Sequence, residues 1–133
     1  MTKSNINAIF SNDIKTIWNI VTNLENYTWR TDLSRIEILS KNYFVEYSKK
    51  GYATRFKTTL FIPYNRWEFD MENDNMKGHW IGIFTSKKDI CEINFTEYVM
   101  VKKTFLKPFI KLYLKRQQST YIRDLSKKLS EYE

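Results

Sequence analysis

The chain has 133 residues, 17% of them aromatic, one cysteine and a formal net charge of +7, a size at which a single domain over residues 1–133 is expected. The lone Cys91 excludes an intramolecular disulfide and a cysteine-based metal cluster, and no apolar run is long enough to cross a bilayer, so no transmembrane segment is expected. Aromatic side chains carry large buried areas, so this content means either a bulky core or rings around a cavity.

The start, Met1 to Asn5, lacks the apolar stretch of a signal peptide, and a cytoplasmic protein is expected. Asn5 to Phe10 alternates, with Ile6, Ala8 and Phe10 on one face, and reads as a first strand. Ser11-Asn12-Asp13 offers an N-cap ahead of Ile14, Ile17, Trp18, Val21 and Leu24 at helical spacing, and a second small helical turn is expected near Trp29 to Leu33. From Arg35 the period changes to two. The expected strands are Arg35–Lys41, Tyr43–Lys49, Ala53–Ile62, Asn65–Asn73, Met76–Ser86 and Ile90–Val101, separated by turn residues such as Lys50-Gly51, Pro63-Tyr64 and Asn73-Asp74-Asn75. Links this short join antiparallel neighbours, hence a meander.

A final amphipathic helix is expected from near Thr104 or just before Pro108. Its inner stripe would be Leu106, Phe109, Ile110, Tyr113, Gln117, Tyr121, Leu125 and Leu129. Lys102, Lys103, Lys107, Lys111, Lys115 and Arg116 gather there without an acid among them. Such a run can attract nucleic acid or an anionic membrane. The four-residue spacing favours a solvated ridge opposite the buried stripe, so no specific nucleic-acid partner is expected.

Strand, two short helices, six strands and a long helix make the helix-grip arrangement: an α+β fold in which a curved antiparallel sheet of about seven strands wraps the C-terminal helix. The stretch RWEFDMENDNMKGHW, Arg66 to Trp80, resembles the central hairpin of the START-like, Bet v 1-like (SRPBCC) superfamily, and more narrowly its bacterial polyketide cyclase/dehydrase-related group. Val21 to Trp29 (VTNLENYTW), Asn94 to Glu97 (NFTE) and Leu112 to Gln118 (LYLKRQQ) extend the likeness over nearly the whole chain. Members include lipid carriers, hormone receptors and cyclases, so the resemblance implies a fold more sharply than an activity.

Strand parity sorts the candidate site. Trp67, Phe69 and Met71 share a face, as do Trp80, Gly82 and Phe84; so do Phe56, Thr58, Leu60 and Ile62, and the alternate residues from Cys91 to Val101. These faces are assigned to the helix side. Each ring fits an ordinary core, while the resemblance implies that some line a cavity. Glu97 breaks the pattern, a carboxylate between Phe95 and Val99 on the inward face. Buried there, it needs a partner or a raised pKa. It is either half of a structural pair, with Arg55 or Tyr113, or a ligand-orienting group or general acid/base.

The expected function is binding of a hydrophobic or amphipathic small molecule, a lipid, polyketide or other aromatic-like ligand. Phe56, Trp67, Phe69, Trp80, Phe84, Phe95 and Phe109 would bury its body; Glu97, Gln117, Tyr113 and Thr58 would bond its polar end, with Trp29 near the mouth. The alternative is a cyclase, dehydratase or hydrolase with Glu97 as general acid/base and Tyr113 as its electrophilic partner. A third reading is an interaction domain that meets an acidic surface through its basic helix. His79, the single histidine, falls on the outer face, no residue set has metal-ligand spacing, and no glycine-rich phosphate loop occurs, so neither a metal nor a cofactor is expected. A monomer or weak homodimer is expected.

Overall fold

The computed structural model describes residues 1–132. Seven strands, β1 (Thr2–Phe10), β2 (Leu33–Ser40), β3 (Tyr43–Ser48), β4 (Ala53–Ile62), β5 (Arg66–Glu72), β6 (Met76–Lys87) and β7 (Ile90–Val101), form one sheet in the order β1-β7-β6-β5-β4-β3-β2. Every pairing is antiparallel. Two helices join it, α1 (Ile14–Thr22) and α2 (Ile110–Leu129).

Local chemistry explains the boundaries. Asp13 caps α1, its side chain accepting from the Lys15 backbone N–H at 3.3 Å, which satisfies a donor that the helix cannot. The β5–β6 turn is an Asx turn, in which Asn73 Oδ1 accepts from the backbone N–H groups of Asn75 and Met76 at 2.8 and 3.0 Å. Gly51 takes φ +88° in the β3–β4 turn, a conformation a side chain would strain.

Two sequence expectations change. The segment from Asn23 to Asp32 forms turns rather than a second helix, and Leu33 already belongs to β2. It is held from outside itself: the backbone N–H and hydroxyl of Thr31 both donate to Asp124 Oδ2 of α2 at 2.8 Å. The final helix starts later than expected. A 3₁₀ turn spans Thr104–Leu106, and α2 begins only at Ile110, after Pro108, because proline supplies no N–H to continue a helix through it.

The core lies between the sheet, α1 and the second half of α2. Ile17, Trp18 and Val21 of α1 meet Phe84, Cys91 and Ile93 of the sheet and Leu125 and Leu129 of α2, all buried. A smaller cluster of Val99, Ile110 and Leu114 closes the other end. Between the two, packing is incomplete.

Candidate functional site

The gap is a cavity of about 140 Å³ between α2 and the sheet. Native interiors rarely leave a void above the size of one water, so a space of this size is a feature of the fold. Trp67 and Phe69 of β5, Trp80 of β6 and Phe95 of β7 wall it from the sheet side, and Phe44 and Phe56 extend the wall along β3 and β4. Sheet register brings these rings together: Phe69 pairs with Trp80, and Trp67 with Gly82, which in turn pairs with Phe95. The rings of Phe69 and Trp80 stack with centroids 4.6 Å apart at 7°. Gly82 makes this possible, since a Cβ there would lie 2.3 Å from the Trp80 ring.

Glu97 sits beside these rings, paired across the sheet with Trp80 and Ser4. It is only 6% exposed. Among the described residues neither Arg55, Tyr113 nor any other donor bonds its carboxylate, which removes the structural-pair alternative. Its oxygens are not sealed in protein and face the cavity space. Burial alone pushes its pKa up, from 4.5 to about 7, because a charge without a counter-charge is disfavoured away from water.

A second polar wall comes from residues outside the expected site. Arg30 donates to Asp32 through Nε and Nη2, at 3.2 and 2.8 Å, and to Glu46 through Nη1 and Nη2, at 2.9 and 3.4 Å. It also lies 4.9 Å from the centroid of the Tyr121 ring. Burial works against the Arg30 charge, but Glu46 and Asp32 outweigh it and hold the guanidinium firmly protonated. Tyr121 is raised by burial, as is Tyr113, where Glu97 adds to the effect. All five residues line the cavity with Glu97.

Glu46 carried the same signal as Glu97, a carboxylate two residues from an inward Phe44. Arg30 and Asp32 carried none, because turns have no periodicity from which to read a side.

The remaining expected residues divide. Tyr113 and Gln117 line the cavity at its exposed end, joined by a 3.3 Å bond from Gln117 Nε2 to the Tyr113 hydroxyl. Phe109 is 64% exposed and contributes nothing to the wall. Phe84 is buried between Trp18 and Phe95, with centroids 4.8 and 5.7 Å away, and stops short of the cavity. Thr58 instead accepts from Trp67 Nε1 at 3.2 Å, behind the ring. Trp29 packs edge-on to Tyr121 at 5.3 Å and lines a separate hollow of about 250 Å³ between α1 and the end of α2. That hollow is larger, yet it contains no buried carboxylate and none of the stacked sheet rings.

The helix stripe holds at Ile110, Tyr121, Leu125 and Leu129 and departs from expectation in its middle turns. Leu114 and Gln118 are buried where Tyr113 and Gln117 were expected. Gln118 makes the helix-to-sheet bond: Ser4 Oγ donates to its Oε1 at 2.7 Å, and its Nε2 donates to the Ser4 carbonyl at 3.2 Å. On the inner face of β4 a bulge between Thr58 and Leu60 flips the parity. Phe61, rather than Leu60 or Ile62, then reaches Trp18 at 5.2 Å and Trp67 at 6.2 Å.

No family model and no curated protein matches the sequence. Solved structures do match. A START superfamily protein from Mycobacterium smegmatis superposes with a TM-score of 0.89 at 12% identity, over 98% of this chain and 99% of that one. A conserved protein from Geobacillus kaustophilus gives 0.82 at 10% identity, over 98% and 96%. A protein of the dynemicin biosynthetic locus gives 0.79 at 9% identity, over 96% of this chain and 47% of that one. Identities this low report shape alone, and the shape is unambiguous: the chain has the helix-grip fold of START superfamily proteins.

Proposed function

We propose that this chain binds a small hydrophobic or amphipathic molecule between α2 and the sheet and sequesters it. One observation carries the reading: an aromatic-walled cavity of about 140 Å³ holds a buried carboxylate, Glu97, that no group among the described residues satisfies. Apolar walls with a few placed polar groups are how such sites take ligands. The volume limits the occupant, since an engineered cavity of about 150 Å³ accepts benzene. A single ring with a short arm fits this criterion; a two-chain lipid does not. The protein would work in the cytoplasm as a monomer or weak homodimer. No specific nucleic-acid partner is proposed; within the basic ridge Lys102 is paired with Glu72, and Lys103, Lys111 and Lys115 are bonded to Asn75 and to carbonyls of β1.

Native mass spectrometry of protein purified from its source tests the proposal. A retained small molecule that shifts the amide signals of Trp67, Trp80, Phe95 and Glu97 is the expected result. An apolar fragment library that perturbs surface residues alone would sink it.

A cyclase-like or hydrolytic enzyme is the second reading, favoured by the Glu97 pKa of about 7. A group poised near neutrality suits general acid/base work, and Tyr113 stands close enough to feel its charge. Conversion of the retained molecule by the native protein, lost in Glu97→Gln while binding persists, would select this reading over sequestration.

A further inference from the structure

The polar wall of the cavity is lopsided in charge. Asp32, Glu46, Glu72 and Glu97 line it, against one cation, Arg30. That cation is largely committed: four of its five N–H donors are already bonded to two carboxylates, which outnumber its single charge. A carboxylate or phosphate entering the cavity would find no guanidinium edge free for a two-pronged bond and would meet Glu97. Glu97 is the one buried carboxylate on the wall without a protein donor among the described residues. Glu72, by contrast, is held by Lys102 at 2.6 Å. Trp80 pairs with Glu97 across the sheet, Phe95 precedes it by two residues on the same face, and Trp67 lines the same cavity; aromatic faces attract cations.

From this arrangement we infer that the cavity is built for a ligand with a protonated amine on a ring-sized apolar body, the ammonium bonded to Glu97 and its flanks against the aromatic rings. This rests on the proposed ligand-binding function and names its chemical class. An ammonium supplies what the site lacks, a donor and a positive charge, in one group. Binding draws Glu97 into its ionised form, so the amine binds more tightly as pH rises through the carboxyl's titration. The other titratable or charged groups sharing the cavity are Arg30 and Asp32 ahead of β2, Glu46 on β3, Glu72 on β5, and Tyr113 and Tyr121 on α2.

Three probes of one shape test the inference: 2-phenylethylamine, 2-phenylethanol and phenylacetate, titrated into the intact chain and followed by tryptophan fluorescence and amide shifts. At about pH 8 the amine should bind at least about tenfold more tightly than the alcohol, and phenylacetate more weakly than either. Lowering the pH to about 5.5 should erase most of the amine's advantage and leave the alcohol unchanged. Glu97→Gln should bring the amine down to the level of the alcohol. Equal binding of amine and alcohol by the native protein, or tighter binding of the acid, overturns the inference while leaving the ligand-binding function standing. If none of the three reaches the cavity and no apolar fragment does either, the ligand-binding function itself falls. The native protein decides between these outcomes, so they do not depend on the variant folding.

Discussion

Glu97 and Arg30 are two buried charges under opposite conditions, and their mutants should behave oppositely. Ionising Glu97 in the folded protein is disfavoured by its shift from 4.5 to about 7, worth roughly 3 kcal/mol at 1.4 kcal/mol per unit. A carboxyl raised in the folded state binds more protons there than in the unfolded chain, so stability falls as pH rises from the ordinary value through the folded one. Glu97→Gln keeps the shape without the charge. It should therefore stabilise the protein at pH 8 by up to about 3 kcal/mol, with the gain vanishing towards pH 4. Urea unfolding of both proteins at the two pH values measures this, and a loss of stability at pH 8 would mean that Glu97 has a protein partner after all. Arg30→Met should do the reverse. It strands Asp32 and Glu46, whose side chains are 26% and 15% exposed, and should cost about 3–5 kcal/mol.

At the scale of elements, the position of α2 rests on Gln118 and the shape of the cavity wall on Gly82. Gln118→Ala removes both bonds to Ser4, whose hydroxyl is fully buried, and should cost about 1–3 kcal/mol. Gln117→Ala, one residue away at the exposed end of the cavity, should stay within about 0.5 kcal/mol of the native protein. Equal losses would indicate that the helix sits in the rotation the hydrophobic pattern suggests rather than the observed one. Gly82→Ala places a methyl into the Trp80 ring. That ring is stacked on Phe69 and tilted against Phe95 at 4.8 Å, so it has little freedom to yield. A loss of about 1–3 kcal/mol is expected, with a shifted Trp80 indole signal in the NMR spectrum.

For the whole molecule, pH acts from both faces of the sheet, through Glu97 in the cavity and through His79 outside it. His79, on the outer face between Glu68 at 2.8 Å and Asp70 at 2.7 Å, is also raised: burial lowers it, but the bonds to Glu68 and Asp70 outweigh burial. A raised histidine contributes stability below its ordinary value and loses it as pH rises through the folded one. His79 and Glu97 thus act in the same direction, and the melting midpoint should fall between about pH 5 and pH 8. Glu68, lowered by His79, sets the acid limit, since its contribution disappears as pH falls through its depressed value. A ligand specific to the folded cavity should raise stability by about 2.7 kcal/mol at a hundredfold excess over its Kd, read as a concentration-dependent midpoint. A saturating ligand that leaves the midpoint unmoved is bound elsewhere.

Alternation and turn residues were sufficient to predict all seven strands, the antiparallel meander of the last six and the inward side of Trp67, Phe69, Trp80, Phe95 and Glu97, because a strand's period of two assigns every side chain once one is known; the place of β1 beside β7 was not among them. Two local irregularities defeated that rule. The bulge in β4 exchanged Leu60 and Ile62 for Phe61, and in the middle of α2 the buried side lies one residue on, at Leu114 and Gln118 instead of Tyr113 and Gln117, while Ile110, Leu125 and Leu129 are buried as expected. A helix with tyrosines and glutamines on adjacent positions presents several near-equal stripes, and only contact with Ser4 and Val99 selects among them. The sequence by itself determined an aromatic sheet closed by a long helix. Tertiary structure alone decided the charge of the cavity, because Arg30, Asp32 and Glu46 meet across sixteen residues of turn and hairpin, and whether a buried carboxylate has a partner depends on which distant groups reach it.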